Sequence, residues 1–502
     1  MRKLIDPQMK LGSVDIAQIK IDLRSRDEIP KLLMGLQYIY CTPEIKTKVF
    51  KILEEVVPQA TNKNNGRPGM DLWKILVLGT IRLNCNWDYD KLQEIANNHN
   101  TLRSMLGHGL MDNAYYYALQ TLRDNVSLLT AEVLDRINTV VVESGHRLVG
   151  KKKEEDLRGR CDSFVVETDV HYPTDINLLF DAIRKVITLV AALCFRLGIT
   201  TWRQSDHNIR KIKKLFRKAQ NLKRSTSKNE DKKSERDKLI RDAHQAYIDL
   251  VKSFLHRVND AIEDLLNKKL VLEAELLEIK KYIAHAERQI EQIHRRVIEG
   301  QIIPHNEKVF SVFEEHTEWI CKGKAGVSQE LGLRVCILED QYGFILHHKV
   351  MQKQTDDQVA VPMVERTKVK FPEFRVCSFD RGFYTPSNRQ DLSSLLDLVV
   401  ISKKGRLSAK DAEIESGEEF IQNKRQHSAV ESAINALENH GLDRCLDNGI
   451  KGFERHVSLA VLARNLQIIG NIIQKEKKTV EKRQYEIKRK RRIIEDETRQ
   501  AI

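Results

Sequence analysis

Residues 161–172 read CDSFVVETDVHY. Phe164, Val165, Val166 and Thr168 are strand-forming residues, and the run stops at Pro173, so a buried strand opens the second part of the chain here. In a strand Asp162 shares a face with Phe164, Val166 and Thr168, whereas Ser163, Val165, Glu167 and Asp169 face the other way. Asp162 and Asp169 therefore cannot point into one site. The segment before it, KKKEEDLRGR (151–160), reads as a charged linker.

Two later stretches also set one acid in a distinct place. FRVCSFD (374–380) is a buried strand that ends on Asp380, directly before Arg381 and Gly382. In RQHSAVESAINALE, Glu431 lies on a helical pattern that follows a polar, Lys-rich loop (403–420). Carboxylates are rarely buried without a compensating partner, and a metal ion resolves that cost. Two hard cations held roughly 3.5–4 Å apart by shared carboxylates activate a nucleophile and stabilise the leaving oxygen in phosphodiester chemistry. Mg²⁺ suits such a site, with Mn²⁺ as a substitute. Taken singly, each acid reads as an ordinary strand-end or helix-face charge; the three in this order are what suggest a metal site.

Outward from these stretches, residues 1–150 read as a helical domain. KLLMGLQYIY, IKTKVFKILEEVV, LWKILVLGTIRL, YDKLQEIANNH and ALQTLRDNVSLL all carry apolar residues at helical spacing. NKNNGRPGMD (62–71) is a turn, and Asp71 is placed to cap the helix after it. Such a domain is either a DNA reader of the helix-turn-helix kind or a packing or dimerisation module.

After Pro173 a heptad-like seam runs through Ile176, Leu179, Ile183, Val186, Val190, Leu193 and Leu197. The same alternation resumes at Leu255, Val258, Ile262 and Leu265. Lys269 interrupts it, and it continues through Leu272, Leu276, Ile279, Ile283, Ala286, Ile290, Ile293 and Val297. The second seam would extend roughly 65 Å as one helix. Residues 175–300 thus read as an inserted arm of two long antiparallel helices, with a polar turn at STSKNEDKKS. Arg210–Arg224 is a basic run suited to phosphate contact or to a solvated helix face.

Residues 301–472 return to strands and helices: KVFSVF (308–313), a hairpin of LRVCILED and GFILHHKVM turning at Gln341 and Tyr342, a helix over 357–365, SNRQDLSSLL as a helix, and DLVVIS (397–402) as a short strand. With 151–174 they make a mixed sheet with flanking helices. Residues 473–502 form a basic helical tail. The fold class is α+β and multi-domain.

Composition agrees with a polyanionic partner. Lys and Arg total 84 against 71 Asp and Glu, a formal charge of +13 in 502 residues. Eight cysteines stand singly with no CxxC pair, which argues against a zinc site or a disulfide framework. No secretory leader and no membrane-spanning run are read in the chain, so a soluble, cytoplasmic protein with no membrane partner is expected.

The ordered blocks CDSFVVETDVHYPTD, SFDRGF and HSAVESAINALENHGLDR, with GRPGMDLWKILVLGTIRLNCNWDYDKLQEIANN upstream, resemble insertion-sequence transposases of the DDE superfamily, whose catalytic core is ribonuclease H-like. The likeness covers nearly the whole chain. It implies Asp162 as the first acid, with Asp169 as fallback, Asp380 as the second on the fourth core strand, and Glu431 as the helical third. Together these would bind two Mg²⁺ ions for hydrolysis at transposon ends and attack of the freed 3′-hydroxyl on target DNA.

Further implications of the resemblance are double-stranded DNA as partner (terminal inverted repeats and target), a homodimer or higher oligomer on that DNA, and a nucleoid-associated, prokaryotic-type setting. Arg381, Arg425 and His427 near the acids, and Lys211, Lys213, Lys214 and Arg217 on the arm, are the candidate DNA contacts. Two departures stand out. His427 and Glu438 occupy positions where many relatives carry Arg and Lys, with Arg425 as a replacement phosphate contact. The arm lies between the first and second acids, whereas insertions in this superfamily often fall nearer the third.

Overall fold

The run that opens the second part of the sequence forms β1, Leu157–Thr168, the middle strand of a seven-stranded mixed sheet. It begins inside the segment expected as a linker: Leu157 and Gly159 are buried on one face, while on the other Arg158 is exposed and Arg160 is half-buried beneath α15, so LRGR is strand despite its charge. A computed structural model describes residues 3–5, 14–57, 69–109, 115–222, 226, 229–321 and 329–500, with 491–500 as backbone only. Residues 62–68 of the expected NKNNGRPGMD turn, and 225, 227 and 228 of STSKNEDKKS, lie outside the described residues.

The chain divides into two compact units, residues 1–169 with 320–502, and residues 170–319. In the first, the helices expected as a separate N-terminal domain share one hydrophobic core with the sheet. They are α1 (Glu28–Cys41), α2 (Pro43–Glu54), α3 (Leu72–Asn84), α4 (Tyr89–Asn98), α5 (Asn100–Met105), α6 (Leu119–Val126) and α7 (Ala131–Leu148). Asp27, Asp88 and Thr130 cap α1, α4 and α7 by accepting backbone N–H bonds. Asp71 stands at the N-cap of α3, but its carboxylate makes no capping bond and pairs with Lys74 at 3.0 Å.

In the second unit most seam residues are buried as their spacing predicts, although Leu272 is 72% exposed and Leu197 and Val297 are half-buried. The arm itself has four helices rather than two: α8 (Asp175–Arg196), α9 (Ser205–Asn221), α10 (Glu230–Asn267) and α11 (Glu273–Ile293), the seam running on α8, α10 and α11. The expected single helix through Lys269 is broken there. Lys269 has φ 54° and Leu270 N–H bonds back to Leu265 O at 3.0 Å, closing α10 with a left-handed cap. KVFSVF is not a strand: Val312 is buried by packing on the helices, and Phe310 lies against Trp319.

The sheet continues with β2 (Glu318–Cys321), β3 (Gln329–Asp340) and β4 (Ile345–Met351); then come α12 (Asp356–Lys370), β5 (Phe374–Phe379), α13 (Pro386–Leu395) and β6 (Leu398–Val400). β1 pairs antiparallel with β3 and parallel with β5, β3 pairs antiparallel with β4, and β5 is parallel to β6. Gly332 allows the β1–β3 approach, since a Cβ there would sit 2.0 Å from Val166 O. The expected 403–420 loop instead holds α14 (Ala409–Ser416), capped by Ser408, and leads into α15 (Glu418–His427). α14 buries no residue, so no apolar period announced it.

After α16 (Ala429–Leu437) and β7 (Arg444–Cys445), the chain ends in α17, Gly449–Gln500. Its first half packs on α1, α3 and α7; from Lys475 to Lys490 it is exposed. Gly35 and Gly470 let α1 and α17 cross at backbone contact: a Cβ on Gly470 would lie 1.8 Å from Lys31 O. No membrane-spanning run was expected, yet α17 is long and apolar enough to qualify; 72% of that stretch is buried within the structure.

His456 on α17 is 2% exposed and donates from Nε2 to Gly441 O at 2.8 Å. Burial pushes its imidazole down to about 4, against the pull of Asp447. The unfolded imidazole, near ~6.5, therefore takes a proton first. Its stabilising contribution is complete above that value and is lost as pH falls toward the folded pKa. Between pH 7 and 4.5 the loss from this one group is about 2 kcal/mol. Denaturant unfolding of His456→Gln over that range is expected to show a correspondingly shallower acid decline than wild type; equal slopes would refute the assignment.

Candidate active site

Parallel pairing of β1 with β5 sets Arg160 beside Ser378 and Cys161 beside Phe379, so the next residues on the two strands are Asp162 and Asp380. Paired positions in a parallel ladder present the same face, and neighbouring strands lie roughly 4.8 Å apart. Carried one residue past its last pair, the ladder sets Asp162 and Asp380, just beyond the end of β5, side by side on the face that carries Arg160 and Ser378, and the Asp380 charge is felt at Asp162. α15 and α16 cover that face. His427 Nδ1 pairs with Ser378 Oγ at 3.0 Å, and Arg160 Nη1 reaches Gln426 O at 3.4 Å. Glu431 follows His427 by one helical turn, which points both toward the ends of β1 and β5.

The electrostatics agree with this placement. Burial pushes the Asp162 carboxyl up to about 6, the Ser163 N–H bond opposes that, and the charges of Asp380, Asp356 and Glu431 add to it. His427 is held below the ordinary imidazole range by burial, with Asp380 and Glu431 pulling it up and Arg160 pushing it down. The balance favours its uncharged form.

Asp356 is the acid that sequence reasoning missed. It opens α12, where an acid ordinarily serves the helix dipole. In the fold, Ser163 Oγ donates to its Oδ1 at 2.6 Å. Gly382 lies between it and Asp380: a Cβ there would be 3.2 Å from Asp356 Oδ2 and 3.5 Å from Asp380 Oδ2. Asp380 itself accepts from Gly382 N–H at 3.2 Å, which turns the chain immediately after β5.

Asp169 is not part of the cluster. It lies past the far end of β1, with its side chain 64% exposed and 3.8 Å from Arg444.

Asp380 and Glu431 line a cavity of about 470 Å³ whose other charged walls include Arg381, Lys403 and Lys424. Arg381 and Lys424 are exposed and make no ion pair among the described residues, whereas Lys403 is held by Asp411 at 2.5 Å. Arg425, expected as the phosphate contact, does not line the cavity and faces solvent. Lys424 shares the helical face of His427 and Glu431, so helical phase would have selected it from the sequence. Lys211, Lys213, Lys214 and Arg217 are exposed on α9 in the second unit.

Among the described residues, no three acid, imidazole or thiol side chains converge tightly enough to enclose a metal ion as they stand. The donors are nevertheless of one kind, carboxylate oxygens, with cations set back at the cavity wall. Hard oxygen donors suit Mg²⁺ or Mn²⁺ rather than a thiophilic ion. No family model matches the chain, and neither a curated protein nor a solved structure does.

Proposed function

We propose that the chain is a DNA strand-transfer enzyme of the DDE transposase type, with a ribonuclease H-like core. The observation that carries this reading is the exit of Asp162 and Asp380 side by side from two parallel strands, beneath a helix that presents Glu431. The sheet supports it as well: leaving aside the short β2, Asp380 follows the fourth core strand, counted β1, β3, β4, β5.

In this reading Asp162, Asp380 and Glu431 hold the divalent cations, and Asp356 steadies or joins them. Bound there, Mg²⁺ would supply activation of a water or 3′-hydroxyl and neutralise the leaving oxygen. The chain's own cations have a separate task. Arg381 and Lys424 are free to take the phosphodiester backbone at the cavity, and Lys403 is positioned by Asp411 to do the same. Neutral His427, oriented by Ser378, can donate or accept one hydrogen bond to substrate without adding charge. A cytoplasmic, nucleoid-associated protein that works as a dimer or larger assembly on two DNA ends belongs to the same proposal.

The test uses the purified protein and duplexes carrying the DNA that flanks its reading frame. Mg²⁺-dependent cleavage at inverted repeats, lost with EDTA, and joining of pre-cut 3′-hydroxyl ends to a plasmid are expected. Cleavage without joining would indicate a nuclease. Salt-sensitive binding with no metal-dependent product would replace the proposal with a DNA-binding role.

A further inference from the structure

The second unit contains an open cleft of about 770 Å³ in which Tyr172, Trp319, Phe310 and His305 form a run of rings. Successive centroids are 5.7, 5.7 and 5.3 Å apart. Tyr172 is 62% exposed, His305 is exposed, and Trp319 and Phe310 are half-buried, so ring faces stay open to a ligand. Gln289 lines the same cleft. It is 0% exposed, and neither its Nε2 nor its Oε1 has a partner among the described residues. A buried amide that offers one donor edge and one acceptor without satisfying either is costly unless something else pairs with it.

The charge around the cleft is selective. Asp175 is neutralised by Arg296 in a two-bond pair at 2.5 and 2.9 Å, and Glu307 is paired with Arg295 at 2.7 Å. Lys308 at the cleft is exposed and in no ion pair among the described residues. A cationic row approaches from α9. Arg210, Lys213, Lys214 and Arg217 recur at helical spacing and lead to Gln220, which donates to Asn177 Oδ1 at 3.4 Å; Asn177 in turn donates to Tyr172 O at 3.3 Å. The row thus ends beside the first ring of the cleft.

We infer that this cleft takes an unpaired base of single-stranded DNA, stacked on the Trp319–Phe310 wall and read by the Gln289 amide, while the flanking phosphates follow the α9 cations. Stacking rings beside a cationic track are the general means of holding single strands, and a planar base edge supplies the donor and acceptor that Gln289 lacks. The inference rests on the preceding proposal only in choosing DNA as the nucleic acid. The cleft is a binding site with no part in the carboxylate chemistry.

The test is fluorescence anisotropy of the full-length protein with labelled oligothymidylate of about 12 nucleotides, a length suited to one such track. Trp319→Ala and the pair Lys213→Glu with Arg217→Glu are each expected to weaken binding by roughly tenfold or more. Trp319→Phe should keep the affinity but lose the strand-induced quenching of tryptophan emission, since Trp73 and Trp202 are buried and half-buried Trp87 belongs to the first unit.

Gln289→Leu removes the unpaired amide, so it should hold or raise Tm while weakening binding, a split that a purely structural role would not produce. Unchanged affinity in both Trp319→Ala and Gln289→Leu, or no single-strand binding by wild type, would overturn the inference. Asp169→Asn, outside the carboxylate cluster, should bind the strand as wild type does. Strand binding that fails while metal-dependent cleavage persists removes this site alone; cleavage that fails while strand binding persists removes the catalytic reading alone.

Discussion

Asp380→Asn and Glu431→Gln are each expected to lower Mg²⁺-dependent cleavage by roughly a thousandfold or more while leaving binding to DNA ends intact. Each substitution is nearly isosteric, so the fold should be kept; what disappears is a charged oxygen. In Asp380 that oxygen also accepts from Gly382 N–H at 3.2 Å, and the amide oxygen of Asn can preserve this turn. Glu431 is exposed on α16 and makes no hydrogen bond or ion pair from its carboxylate among the described residues, so no structural reason stands for its loss to matter. Asp169→Asn is the matched control, since Asp169 lies past the other end of β1 and among the described residues has its one ion pair with Arg444. Gel assays of cleavage and binding on the same duplexes separate the two effects. Cleavage at the wild-type rate by either variant, or an equal loss in Asp169→Asn, would remove the assignment.

The second large effect is on stability. Arg82 on α3 is completely buried, 2.8 Å from Asp447 and with its guanidinium 3.9 Å from the centre of the Tyr89 ring. The contact with Asp447 is off hydrogen-bond alignment, so the attraction is one of charge, with Tyr89 contributing through its ring. Burial alone would push the Asp447 carboxyl up; Arg82, His456 and Arg455 outweigh that and hold it below the usual carboxylate range.

Asp447→Ala leaves Arg82 buried and uncompensated. The expected cost is about 3–5 kcal/mol, a large share of the roughly 5–15 kcal/mol that separates folded from unfolded states. Replacing both partners, Arg82→Met with Asp447→Leu, should restore most of it. Denaturant midpoints measure both. A loss under about 1 kcal/mol in Asp447→Ala would show that the pair is not what joins α3 to the start of α17.

Much of this architecture was legible because local period and burial agree. β5 and β6 are apolar runs with clear ends, β1 is one from Cys161 onward though its charged start was hidden, and the seam residues of α8, α10 and α11 recur in steps of three and four. The break at Lys269 left the seam in phase on both sides, so period alone could not reveal two helices in place of one. α14 was invisible for the opposite reason: it is held by a capping box and buries nothing.

At the candidate site, Asp162, Asp380 and Glu431 were each visible from their immediate neighbours, whereas Asp356 was not, because its place depends on Ser163, 193 residues away. Arg425 was named as a replacement for the Arg missing at His427, whereas helical phase favours Lys424. The shared core of α1, α3 and α7 with α17 joins opposite ends of the chain, and no local pattern encodes it.

That shared core has a consequence for how the protein is made. The first unit is discontinuous: β1 must wait for β3 and β5, and α1, α3 and α7 must wait for α17, whereas residues 170–319 are contiguous. As the chain leaves the ribosome, the arm has all its parts and can fold while the two halves of the larger unit are still separated. Until α17 emerges, the apolar faces of α1, α3 and α7 lack their partner, and nascent chains with such faces uncovered are prone to aggregate. Closure of the larger unit, and with it the pairing of β1 with β5, therefore comes after the arm has had its chance to fold.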